Sequence, residues 1–207
     1  MYIDAMARIT VFGAAGRTGQ LVLREGRRRG LEMTAFTRRP EGTLDADKVV
    51  RGDGRDPEAV RAAIDGADAV IVIVAAAGRQ GPHETADVVK VITSQMTELG
   101  VRRLVLTSAY PLVGDRPRLM IAVIRRVFAD VYADAAEAGR IAMGSGLDWT
   151  IAYLNRLIDK PATGRARVST ELFARPTSIT RADVATVLLD AVADPALIGT
   201  SINVSGP

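Results

Sequence analysis

Cysteine is absent from the 207-residue chain, and histidine occurs once, as His83. The first absence excludes disulfides and thiolate metal sites, and it is compatible with a reducing compartment. The second removes any site built on several imidazoles, so no metal is expected. Lysine is scarce too: Lys48, Lys90 and Lys160 stand among 27 basic residues, the rest being arginine. No apolar run is long enough to span a bilayer, the longest being AVIVIVAAA at 69–77. The opening MYIDAMARITVFG has no apolar leader before its first strand-like run. A cytoplasmic chain without membrane contact is the expectation.

Nucleic acid is not expected as a partner. Net charge is +3 with acids interspersed, a mixed surface rather than a basic stripe. The densest cluster, GRRRG at 26–30, reads as a helix end, with arginines facing the negative dipole end and Gly30 as the stop. Apolar residues make up 48% and charged residues 25%, an ordinary globular balance. The length fits one domain over 1–207.

Strand-like runs alternate with helix-like ones. This is the pattern of an α/β fold, a doubly wound parallel sheet with helices on both faces. Strands are expected at 8–13, 33–37, 48–53, 67–77, 101–109, 147–154, 166–170 and 201–206. Helices are expected at 18–29, 56–66, 83–99, 117–129, 131–144 and 180–194. In DPEAVRAAIDG, Asp56 is placed as the cap, Pro57 at the first helical position and Gly66 as the stop. The run at 67–77 is continuously apolar, as a central strand buried on both faces requires.

VFGAAGRTGQ, at 11–20, leaves the first strand and opens the first helix. Gly13 permits a tight turn, Gly16 lets a pyrophosphate approach the backbone, and Gly19 lets helix and strand pack closely. The free N–H groups at the helix start, at Arg17 and Thr18, then face the phosphates. The second strand ends AFTRRPE. Thr37 stands where an acid would hold the ribose 2′-hydroxyl of NAD, and Arg38 and Arg39 follow. A guanidinium matches a phosphate in charge and geometry, which favours NADP(H). Asp53, with Gly54, is placed to reach the adenine edge. Ala75, Ala76 and Ala77 end the fourth strand with side chains small enough for close passage of the ribose.

GAAGRTG, TRRPE, the GD after the third strand, LTSAY, SGLDWTIAYL and SITRADVA…INVSGP resemble the atypical short-chain dehydrogenase/reductases. Within them the chain is similar to the NAD(P)H-binding, NmrA-like group that includes biliverdin reductase B (flavin reductase). The resemblance implies a Rossmann fold with a small C-terminal substrate-covering region, 110–135 and 155–180 forming the substrate side. It implies NADPH-dependent reduction of a small molecule by a monomer or homodimer. It places Thr107 and Ser108 beside the nicotinamide, with Tyr153, Leu154 and Asn155 on its border. Ser108 and Tyr110 are the catalytic candidates.

The chain also departs from that superfamily. Most of its reductases use a Tyr-x-x-x-Lys proton relay. Here the tyrosines are 2, 110, 132 and 153, and the residues four further on are Met6, Gly114, Ala136 and Leu157. Without a lysine to lower a tyrosine pKa, acceptors needing little protic help are favoured: flavins, quinones, tetrapyrroles or ketones. Two alternatives stand beside this one. A dinucleotide sensor without turnover is compatible with the missing pair, and so is a biosynthetic ketoreductase or epimerase. His83 is read as a surface or capping residue.

Overall fold

Among the described residues the alternating runs form ten strands and six α-helices. A computed structural model describes residues 7–38, 43–73, 84–114 and 118–207. In chain order the elements are β1 (Arg8–Phe12), α1 (Arg17–Arg28), β2 (Glu32–Thr37), β3 (Lys48–Arg51), α2 (Pro57–Ile64), β4 (Ala69–Val72), α3 (Thr85–Leu99) and β5 (Arg103–Ala109). There follow α4 (Arg118–Val127), α5 (Ala129–Gly144), β6 (Asp148–Leu154), β7 (Leu157–Ile158), β8 (Arg167–Ser169), β9 (Ile179–Thr180), α6 (Arg181–Ala193) and β10 (Thr200–Ser205).

Eight strands make one sheet in the order β3-β2-β1-β4-β5-β6-β10-β8. Its pairings are parallel except that β8 runs antiparallel to β10 at the edge. The chain moves outward through β1, β2 and β3, then returns to lay β4 on the other side of β1. That reversal opens a crevice at the carboxyl ends of β1 and β4. Val22 and Leu23 of α1 join Val184 and Leu188 of α6 in the apolar layer on one sheet face. Val60 of α2, Ile92 and Met96 of α3 and Ala138 of α5 fill the other. The sheet is thus wound on both sides, as the sequence pattern requires.

The helix ends follow their local chemistry. Asp56 caps α2, accepting the Glu58 N–H, with Pro57 in the first turn. The arginine cluster closes α1: Glu25 holds both Arg28 and Arg29, Arg27 pairs with Asp45, and Gly30 turns the chain at φ +78°. The Arg28 and Arg29 hydrogen bonds outweigh burial and keep the Glu25 carboxyl near pKa 2. At the far end of α6, the guanidinium of Arg103 donates to the carbonyls of Val192 and Asp148, at 3.1 and 2.6 Å, and to the Ala191 carbonyl. Burial lowers the Arg103 pKa, and these acceptors satisfy the buried cation. The fourth strand is shorter than expected within the described residues, ending at Val72, and 74–77 lie outside them. Two elements had no sequence signal: β7 and β9 are two residues each and pair in parallel beside the main sheet.

Candidate functional site

Three glycines shape the loop between β1 and α1, each for a different need. Gly13 has φ +79°, and a Cβ there would stand 2.5 Å from the Ile73 carbonyl oxygen. A Cβ on Gly19 would overlap the backbone of Gly13 and Ala14. These two positions are closed to side chains by the protein itself. Gly16 differs: its Cβ direction meets only the Gly13 carbonyl oxygen, at 3.2 Å. Gly16 is the N-cap of α1, with no capping side chain and no acid in the first turn. The helix start therefore presents unsatisfied N–H groups and positive potential.

That start opens into a cleft of about 740 Å³ along the carboxyl edge of the sheet. Gly13, Gly16, Arg17, Thr18 and Gly19 form its middle. At one end lie Thr37, Arg38, Asp53 and Gly54; at the other lie Thr107, Leu154, Leu157 and Arg181. Phe12 and Phe36 stack beneath the first end, ring centroids 4.6 Å apart. Thr37 is buried in this wall and Arg38 is exposed, so the cation stands outermost toward an incoming ligand. Arg39, Ala75, Ala76, Ala77 and His83 lie outside the described residues.

Asp53 is not a free turn carboxylate. Arg55 holds it through Nη2 at 2.7 Å and through its own backbone N–H at 2.9 Å. The same guanidinium reaches Glu84. The Arg55 hydrogen bonds keep Asp53 near pKa 2, so it stays ionised across the physiological range. Nearby, Asp134 of α5 accepts the N–H groups of Thr85 and Ala86, at 3.0 and 2.9 Å. A residue of a distant helix thus caps α3 where it borders the cleft.

At the β5–β6 end, strand alternation sorts the candidates. Thr107 is buried and lines the cleft. Ser108 points to the opposite sheet face, half-buried, at a strand position paired with Tyr153. Burial raises the Tyr153 pKa against the hydrogen bond from Ser201 that lowers it. Leu154 faces the cleft, whereas Asn155 donates its amide to the Val204 carbonyl at 3.1 Å and closes on β10. Tyr110 is 3% exposed, beneath the turn at Gly114, where any Cβ would overlap its ring. The cleft wall therefore takes Thr107 and Leu154 from the expected residues and not Ser108, Tyr110, Tyr153 or Asn155.

Sequence reasoning missed Glu84, Val88, Leu157 and Arg181 in this wall. Arg181 had one signal: Thr180 and Asp183 form a capping pair that puts it at the first position of α6. Among the described residues, no cluster of His, Cys, Asp or Glu could hold a metal ion. None of their helices is long and apolar enough to cross a membrane.

The bare Gly16, the uncapped α1 amides and the Arg38 end fit a ligand carrying phosphates. The comparisons agree. A family model described as NAD(P)H-binding matches residues 13–195. Among solved structures, a short-chain dehydrogenase/reductase from Veillonella parvula in complex with NADP superposes with TM-score 0.82 at 21% identity, covering 100% of this chain and 96% of that one. ChuY, an anaerobillin reductase from Escherichia coli O157:H7, gives 0.82 at 21%, covering 97% and 98%. The oxidoreductase ylbE from Lactococcus lactis gives 0.78 at 21%, covering 97% and 91%. At these identities the structures establish the shared fold.

Proposed function

The chain belongs to the NAD(P)H-binding family, and from that premise we propose an NADPH-dependent reductase acting on a small conjugated acceptor: a flavin, quinone, tetrapyrrole or ketone. The observation that carries this reading is the uncapped α1 start opening into a cleft that ends on Arg38. The bound dinucleotide supplies the hydride. The α1 amides hold its pyrophosphate, which Gly16 allows to approach. Arg38 and Arg39 take the 2′-phosphate, and Asp53 and Gly54 border the adenine. Thr107, Leu154 and Leu157 frame the nicotinamide end and exclude water there.

Proton donation is weak in this arrangement. Tyr110 is buried, and the burial that raises Tyr153 further disfavours its phenolate. This matches acceptors whose reduction needs little acid catalysis. It also supports the second reading, a dinucleotide sensor without turnover.

The test is an NADPH-consumption screen over flavins, quinones, tetrapyrroles and ketones, with products identified by mass. Turnover of one class is expected, and Thr107→Val should lower its kcat roughly ten- to a hundredfold by removing the hydroxyl that borders the nicotinamide end. Tyr110→Phe should leave turnover unchanged if the ring only packs; a slower rate with an altered pH profile would make it the donor. No turnover, with different affinities for oxidised and reduced cofactor, would replace the enzyme by the sensor.

A further inference from the structure

One carboxylate, that of Asp159, bridges two arginines that line the cleft. β7 pairs with β9 so that Ile158 lies opposite Thr180. The next residues on the two segments are Asp159 and Arg181. Arg181 Nη1 donates to Asp159 Oδ1 at 2.6 Å, and Arg17 Nη1 donates to Asp159 Oδ2 at 2.6 Å. Arg17 is the residue after Gly16, and both arginines line the cleft. One carboxylate thus joins the glycine loop to a segment 142 residues away.

The two ends of this bridge differ. The Arg181 side chain is 13% exposed and that of Arg17 is 71% exposed. Arg181 is packed against the protein; Arg17 projects into solvent. The Asp159 segment is itself anchored, because Asp183 accepts the N–H groups of Thr163 and Gly164, each at 2.9 Å. The carboxylate therefore stands beside Arg17, at the start of α1.

We infer that Asp159 is an internal counter-anion that competes with the dinucleotide pyrophosphate for Arg17, and so sets cofactor affinity and release. Arg181 moderates the competition by sharing the carboxylate. The inference rests on the cofactor reading above and adds a residue to it that no glycine-loop motif contains. An exposed guanidinium–carboxylate contact is weak, so the exchange is easily made in either direction.

The experiment is calorimetric titration of wild type, Asp159→Asn and Arg181→Gln with NADPH and with NADH. Asp159→Asn should bind both cofactors about two- to fivefold more tightly, since the pyrophosphate is common to both. A damaged fold does not produce a gain of affinity. Arg181→Gln leaves the carboxylate wholly to Arg17 and should weaken both by a similar factor. Unchanged or weaker binding by Asp159→Asn, or a gain confined to NADPH, overturns the inference. Wild-type protein that binds neither cofactor overturns the dinucleotide reading itself.

Discussion

Helices α1 and α6 lie side by side on one face of the sheet, and of their first four positions from the N-cap they share only the arginine. α1 starts Gly16-Arg17-Thr18-Gly19; α6 starts Thr180-Arg181-Ala182-Asp183. In α6 the Thr180 hydroxyl accepts the Asp183 N–H at 3.0 Å, and the Asp183 carboxylate takes up the Thr163–Gly164 turn. That helix start is sealed by its own chain. In α1 both capping positions are glycine, so among the described residues no side chain caps the same N–H groups. The pair teaches that a phosphate site need not be built; it can be left where a cap would otherwise stand.

The largest effect should come from closing the open start. Gly16→Val adds a Cβ that, among the described residues, meets the Gly13 carbonyl oxygen at 3.2 Å, so the fold should persist. NADPH fluorescence enhancement should vanish while circular dichroism stays native; retained binding would move the phosphate site elsewhere. Next comes the far end of the same cleft. Arg38→Ala with Arg39→Ala should remove a preference for NADPH over NADH of roughly 1.5–3 kcal/mol, the worth of hydrogen bonds to charged groups. Equal wild-type affinities for the two cofactors would sink that assignment. The smallest effect should follow from unsealing α6. Asp183→Asn should cost about 1–2 kcal/mol in thermal or urea unfolding by weakening buried hydrogen bonds.

Asp183 also carries a pH signature. Burial pushes its pKa up, but the hydrogen bonds from Thr163, Gly164 and Thr180 outweigh this and hold it below the usual 3.8. A depressed folded pKa stabilises fully above 3.8, and the contribution is lost as pH falls through the folded value. The stability gap between wild type and Asp183→Asn should therefore shrink in acid. A gap independent of pH would deny the carboxylate this role.

Much of this contrast was legible in the sequence because it is local. The glycine spacing, the capping residues and the alternation of runs each act within a few positions. Ser108 and Thr107 show where legibility thins: the end of β5 was evident, but which of two neighbours faces the cleft depends on the phase of the strand. Arg181 and Asp159 show where it stops. Their bridge to Arg17 depends on β7 and β9, whose four residues have no periodicity to read. Asp134 capping α3 is hidden for the same reason, since donor and acceptor lie on different helices.

The buried guanidinium of Arg103 has a mechanical meaning for that bridge. It grips the last turn of α6 by the carbonyls of Ala191 and Val192 and ties it to β6 through Asp148 and Thr150. A rod pinned at its tail cannot slide along its axis. The Arg181 end is then a fixed jaw, and the Thr163–Gly164 turn held by Asp183 is seated on the same pinned rod.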